Sequence, residues 1–141
     1  MKKSILIIAI SLLSMLILAA CGSTSTAQTS GVVTVPAPYA GKTNPLANDP
    51  QVIEKGKKVY TNDCASCHGE KGLGDGPAAS ALDPKPKNLV DSAKNNKEDY
   101  LFWRISEGGS MKPFNSSMPG WKGVETEESI WQVVSYIKSL K

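Results

Sequence analysis

Three kinds of apolar patterning divide the chain. The first is continuous. From Ile5 to Ala20 every residue is apolar except Ser11 and Ser14. Lys2 and Lys3 precede the run and small residues close it, which is the charged, apolar and small-residue layout of an export signal. At 16 residues it is a little short for a comfortable membrane span. The second pattern, over 22–48, has no period. Small, hydroxylated and proline residues dominate, with no acid and Lys42 as the one base, so a linker is expected. Val32-Val33-Thr34-Val35 is its single β-prone patch, read as solvated linker in preference to a strand offered to a partner.

From Asp49 onward the period becomes helical. Asp49-Pro50 reads as an N-cap followed by proline in the first turn, and Val52, Ile53, Gly56, Val59 and Tyr60 recur at three- and four-residue spacing. Gly56 is the odd member, since a mid-helix glycine costs about 1 kcal/mol against alanine. It makes sense where a second helix must approach closely. Asn95-Asn96 is a candidate cap for a helix with Glu98 and Asp99 in its first turn, Leu101 and Ile105 on one face, and Gly108 as its stop. Thr126 is a candidate cap for the last helix, whose stripe is Ile130, Val133, Val134, Ile137 and Leu140, with Lys138 and Lys141 at its C-terminal end. No segment of 49–141 alternates convincingly as a strand. The pattern therefore divides the chain into a signal (1–20), a tether (21–48) and one all-α domain (49–141) with long loops. No internal repeat is present.

Composition changes this picture little. With 40% hydrophobic and 21% charged residues in 141, a single packed domain is possible. The formal charge of +3 includes Lys2 and Lys3; without residues 1–20, 14 bases face 13 acids and it falls to +1. No nucleic-acid partner is inferred from so small a balance. Leu18-Ala19-Ala20-Cys21 resembles the lipobox of bacterial lipoproteins, where the cysteine is acylated and becomes the first mature residue. A spare thiol or an uncleaved anchor helix are the alternatives. The resemblance implies lipidation at Cys21, export, and attachment to the outer face of the cytoplasmic membrane or another periplasmic membrane face.

The candidate chemistry is concentrated in Cys64-Ala65-Ser66-Cys67-His68, which holds two of the three cysteines and the only histidine. A structural zinc site needs four ligands and this segment offers three. A thioredoxin-like pair would follow a strand, and the preceding segment is helical. A plain disulfide leaves His68 unexplained. The remaining reading is covalent haem attachment, for which C-x-x-C-H is the specific signature. Two thiols three residues apart lie on one side of a helical turn, where they can add to the two vinyl groups of one porphyrin. The next residue turns its imidazole toward the iron. The glycines of Gly69 to Pro77 are read as letting backbone pass close to a flat ligand. The same run is a poor phosphate loop, with neither a strand before it nor a Lys-Ser/Thr pair after it.

With no second histidine, the soft sixth-ligand candidates are Met111 and Met118 in SMKPFNSSMPGW. His/Met ligation is the electron-transfer arrangement of cytochromes c, in which the thioether raises the potential. Cys64 to Gly69, the Gly-x-Gly-Asp-Gly-Pro and Leu82-Asp83-Pro84-Lys85-Pro86 segments, and Met118-Pro119-Gly120-Trp121 together resemble the class I monohaem c-type cytochromes. The likeness covers essentially all of 49–141. It implies three to four helices around one covalent haem c, with Cys64 and Cys67 as attachment points and His68 and Met118 as axial ligands. Met111 is the lesser alternative to Met118. Pro77 is the match for a carbonyl that holds the proximal histidine, and Gly56 and Tyr60 would cross the last helix beside Trp131 or Tyr136. Leu101, Ile105 and Trp121 are assigned to the haem pocket, with Tyr100, Phe102 and Trp103 as further packing residues. The implied function is a tethered one-electron carrier of a respiratory or photosynthetic chain, not itself an enzyme. Its partners would be a quinol-oxidising complex, an oxidase or a dehydrogenase. The layout is similar to the monohaem subunit of alternative complex III. A haem enzyme or gas sensor with a displaceable sixth ligand is the competing class.

Overall fold

The computed structural model describes residues 33–46 and 49–141. The expected signal and Cys21 lie outside the described residues. Among the described residues five helices occur in the order α1 Pro50–Asp63, α2 Ala65–His68, α3 Leu89–Asn95, α4 Glu98–Glu107 and α5 Glu127–Ser139, with a 3-10 turn at Ala79–Ala81. Among the described residues there is no strand, only an isolated bridge between Lys122 and Glu125. The all-α expectation holds.

Helix α1 begins where the sequence places it. Asp49 accepts from the Gln51 amide at 2.8 Å and Pro50 occupies the first turn, where its missing N–H costs nothing. Its buried face is Val52, Gly56 and Tyr60, packed on α5, whose Ile130, Val133, Val134 and Ile137 are almost fully removed from water. The crossing point is Gly56. A Cβ there would stand 1.9 Å from the Gln132 carbonyl oxygen and 2.4 Å from its carbon. The glycine's neighbour is thus the backbone of Gln132, while Tyr136 meets Tyr60 one turn further along at a ring separation of 5.0 Å. Gly56→Ala gains about 1 kcal/mol of helix propensity, but backbone cannot yield as a side chain would. Prising the helices apart outweighs that gain, for a net loss of about 2 kcal/mol. The thermal midpoint of the holo-protein should fall by roughly 10 °C. An unchanged or raised midpoint in a calorimetric scan would show that the crossing is looser than this geometry.

The middle of the chain departs from the pattern. Asn88, not Asn95 or Asn96, is the capping asparagine: its Oδ1 accepts from Val90 and Asp91 and starts the short helix α3. Asn95 ends α3, and α4 starts after Lys97 without a side-chain cap. At seven residues α3 is too short to show a period. Lys138 of α5 secures its end, donating to the Ala93 and Asn96 carbonyls at 2.6 and 2.7 Å.

The tether expectation for 21–48 also needs correction over residues 33–46. This strap is folded onto α4 and α5. A turn over Pro36–Gly41 buries Tyr39 against Phe102, at a ring separation of 6.1 Å, and Phe102 in turn stacks on Trp131 at 4.1 Å. Val33, Val35 and Leu46 pack on the same cluster. The acids of the first turn of α4 accept strap amides, Asp99 from Gly41 at 2.9 Å and Glu98 from Asn44 at 3.0 Å. The Asn44 amide is buried, donating to Ser135 Oγ and the Trp131 carbonyl. Low hydrophobicity concealed this docking because it depends on a few well-placed groups: one tyrosine, one asparagine and backbone N–H donors.

The strap is also latched by Tyr39, whose hydroxyl donates to Glu107, with Lys122 Nζ 3.4 Å from the same carboxylate. The Tyr39 hydrogen bond and the nearby ammonium hold Glu107 below the usual carboxylate range. A depressed folded-state value means that the latch stabilises above the ordinary carboxyl value and is lost as pH falls through the folded one. Protection of the amides of 37–44, corrected for the intrinsic pH dependence of exchange, should fall below about pH 4, and Glu107→Gln should flatten that dependence. Equal profiles for the two proteins would remove Glu107 from the latch.

Candidate functional site

The CASCH segment forms α2, a single turn that follows α1 directly: the Cys64 amide still bonds to the Tyr60 carbonyl, and the His68 amide to the Cys64 carbonyl. So short a helix leaves its last carbonyls unsatisfied unless something else covers them. The loop 69–78 does so. Gly69 N, Ala78 N, Gly76 N and Gly74 N donate to the carbonyls of Ala65, Ser66, Cys67 and His68 in turn. A Cβ on Gly76 would meet the Ser66 and Ala65 oxygens at 2.5 and 2.7 Å. A Cβ on Gly74 would likewise stand 2.4 Å from the Pro86 oxygen, so these two glycines admit backbone against backbone. Tyr60 adds a hydrogen bond of 2.7 Å to the Gly69 carbonyl. The result is a rigid turn carrying both thiols and the imidazole.

His68 Nδ1 lies 3.0 Å from the Lys87 carbonyl oxygen. That acceptor fixes the tautomer, with the proton on Nδ1, and leaves Nε2 as the nitrogen for a metal. The sequence assignment of this carbonyl to Pro77 is wrong. Pro77 is exposed, carried to the surface as Ala78 folds back on Ser66. The segment after Pro86 takes its place because the Leu89 amide bonds to the Gly72 carbonyl at 2.6 Å, drawing 86–89 across the histidine. Nothing in the sequence ranks one of these proline-containing turns above the other. Burial holds the His68 imidazole below its ordinary value, with the Lys87 hydrogen bond acting weakly the other way, so the ring is neutral near pH 7. Burial, aided by neighbouring Asp63, pushes the Cys64 thiol up to about 12. An environment so hostile to thiolate suits a sulfur that ends as an uncharged thioether.

A narrow cleft lies against Cys64, walled by Val59, Ile105, Trp121, Ile130 and Val133 with Asp63 and Glu125 at its edge. Ile105 and Trp121, which the sequence reading assigned to the haem pocket, line this cleft beside Cys64. Leu101 is buried in the wider core, away from this cleft. Phe102 faces Trp131 and the strap, and Trp103 meets Tyr100 and Phe114.

Met118 stands in a loop fastened at several points to the end of α4. Its carbonyl accepts from Gly109 at 2.9 Å, and Trp121 N and Lys122 N donate to Ile105 and Ser106. Gly108, at φ 73°, lets the loop close: a Cβ there would stand within 2.6 Å of the Met118 oxygen. Met118 and Met111 are both half-buried against the core. They differ in their sulfur: Met111 Sδ lies 3.4 Å from Arg104 Nη1. Arg104 escaped the sequence reading, where it is one base on a helix like any other.

Two thiols beside one turn and a neutral imidazole anchored through Nδ1 fit a covalently held haem, and on this all-α scaffold they define a c-type cytochrome. Residues 53–141 match the Cytochrome c family, and the chain belongs to it as a class I monohaem c-type cytochrome whose cofactor is haem c. It is 26% identical over 85 residues to a cytochrome c6 of Synechococcus elongatus, covering 60% of this chain and 86% of the relative. It is also 26% identical over 102 residues to the cbb3-type cytochrome c oxidase subunit FixPc of Rhizobium leguminosarum bv. viciae, covering 71% of this chain. Among solved structures, the Kuenenia stuttgartiensis reducing HAO-like protein complex Kustc0457/Kustc0458 aligns with a TM-score of 0.57 and 28% identity over 68% of this chain. The chain spans only 31% of the FixPc subunit and 46% of the Kuenenia chain.

Proposed function

We propose that this haem electron carrier uses His68 and Met118 as its axial pair and works from a lipid anchor at Cys21, as a partner of a membrane oxidoreductase complex. The observation that carries the ligand assignment is the contrast between the methionines: Met118 sits on the loop tied to α4, while the Met111 sulfur is engaged by Arg104. When bound, the haem supplies a one-electron Fe(III)/Fe(II) couple. The chain's own part is to hold both ligands through that change. The Lys87 carbonyl orients His68, the Gly109–Met118 bond fixes the distal loop, and Ile105 and Trp121 keep water from the attachment turn. A controlled redox titration should follow a reversible curve with n = 1, as a single haem requires.

The strap shortens the tether. With Val33 already folded, only twelve residue steps separate it from Cys21, a span of at most about 40 Å fully extended. That reach favours a partner at the same membrane surface. The relatives named for an oxidase subunit and a multi-protein complex agree with such a role. Gentle detergent extraction followed by a native gel stained for haem tests it. Comigration with large membrane subunits supports a fixed subunit, and a small band alone makes the protein a tethered shuttle. Haem that washes off membranes in salt would overturn the lipid anchor.

A further inference from the structure

Arg104 is a half-buried guanidinium that takes part in neither ion pair of the described residues, Lys42–Glu127 and Lys122–Glu107. Its environment is built instead from aromatic and soft groups. Its Cζ lies 3.4 Å from the Phe114 ring centroid and 5.6 Å from that of Trp103. Nη1 donates to the Gly108 carbonyl and lies 3.4 Å from Met111 Sδ. A point beside Gly109 is 3.2 Å from both Arg104 Nη2 and Met118 Cβ, so the guanidinium reaches the base of the ligand loop as well.

Met111 and Met118 share that loop. It is closed at its base by Gly109 N to the Met118 carbonyl at 2.9 Å and Ser116 N to the Gly109 carbonyl at 2.8 Å. Two thioethers of equal chemistry are therefore held in one short closed segment against one core. The family resemblance favours Met118, but the chemistry of the two side chains gives the iron no reason to take one rather than the other. The guanidinium does. A thioether is a weak acceptor, and a sulfur engaged by a cationic donor offers less electron density to a metal. A fixed positive charge beside it also disfavours bringing that sulfur up to cationic iron. Stacking on Phe114 immobilises the planar group so that both effects persist.

We propose that Arg104 is a positioning residue that selects the axial ligand, holding Met111 out of competition and leaving Met118 to the iron. The proposal rests on the reading of Met118 as ligand. Its test uses the long-wavelength sulfur-to-Fe(III) absorption band of the oxidised holo-protein, which reports a bound thioether whatever the electron-transfer activity. Met118→Ala should lose that band. Met118→Ala/Arg104→Leu should regain most of it, and adding Met111→Leu should abolish it again. Met118→Ala/Arg104→Gln, which also removes the charge, serves if the leucine variant does not accumulate, and the same regain is expected. A Met111-dependent band in Met118→Ala with Arg104 intact would overturn the selection, as would no regain in the Arg104 variant that accumulates. If instead Met118→Ala keeps the wild-type band and Met111→Leu alone loses it, the Met118 assignment itself fails, independently of Arg104.

Discussion

Cys67→Ala should reduce accumulated holo-protein by about tenfold or more, and Cys64→Ala should do the same. Cys67 sits on the four-residue turn α2 and Cys64 caps its start; the turn has no hydrophobic stripe of its own and is held by the loop 69–78 and Tyr60. The core around it is thin: between α1 and α5 it narrows to a backbone contact at Gly56, and a cleft remains beside Cys64. A domain of this size depends on every large apolar body it can enclose, so loss of one covalent attachment shifts the population toward unfolded, protease-sensitive chain. Haem staining of denaturing gels, normalised to antibody signal, measures the effect. Normal covalent haem and normal accumulation in either variant would remove that cysteine from the attachment.

The second large effect is expected at Met118. Met118→Ala should lower the midpoint potential on the order of 150 mV, two to three decades in the relative stabilisation of the two oxidation states. A thioether favours Fe(II), and its replacement by water or hydroxide favours Fe(III). Met111→Leu, by contrast, should leave the potential within about 30 mV of wild type, half a decade at most, because its sulfur faces Arg104. Potentiometric titration of the two variants decides between them. A large shift at Met111 with none at Met118 would reverse the assignment of the loop.

The parts of this molecule that were legible in the sequence are those governed by local rules. Asp49-Pro50, Thr126 and Gly108 mark helix ends through their own backbone and side-chain chemistry, and each does so in the structure. Gly56 announced a close crossing because a glycine inside a helix is unfavourable unless something needs the space. What could not be read depended on where distant backbone groups meet. The carbonyl that orients His68 belongs to Lys87 and not Pro77 because of one long-range amide bond, Leu89 to Gly72. The strap was hidden because a composition of small, hydroxylated and proline residues describes a linker equally well whether or not one tyrosine finds a pocket. The pairing of Arg104 with Met111 follows from α4 ending beneath the distal loop, a tertiary fact without a periodic signature.

In the proposed function the iron is closed and cycles electrons without offering a site to outside ligands. The most direct measurement is to add carbon monoxide to the dithionite-reduced wild-type protein at neutral pH and follow the Soret band. No rapid spectral change is expected, because on the proposed ligation the Met118 sulfur would hold the sixth position of the iron. Fast and complete formation of the carbon monoxide adduct would contradict it and make the protein a ligand-binding haem protein instead.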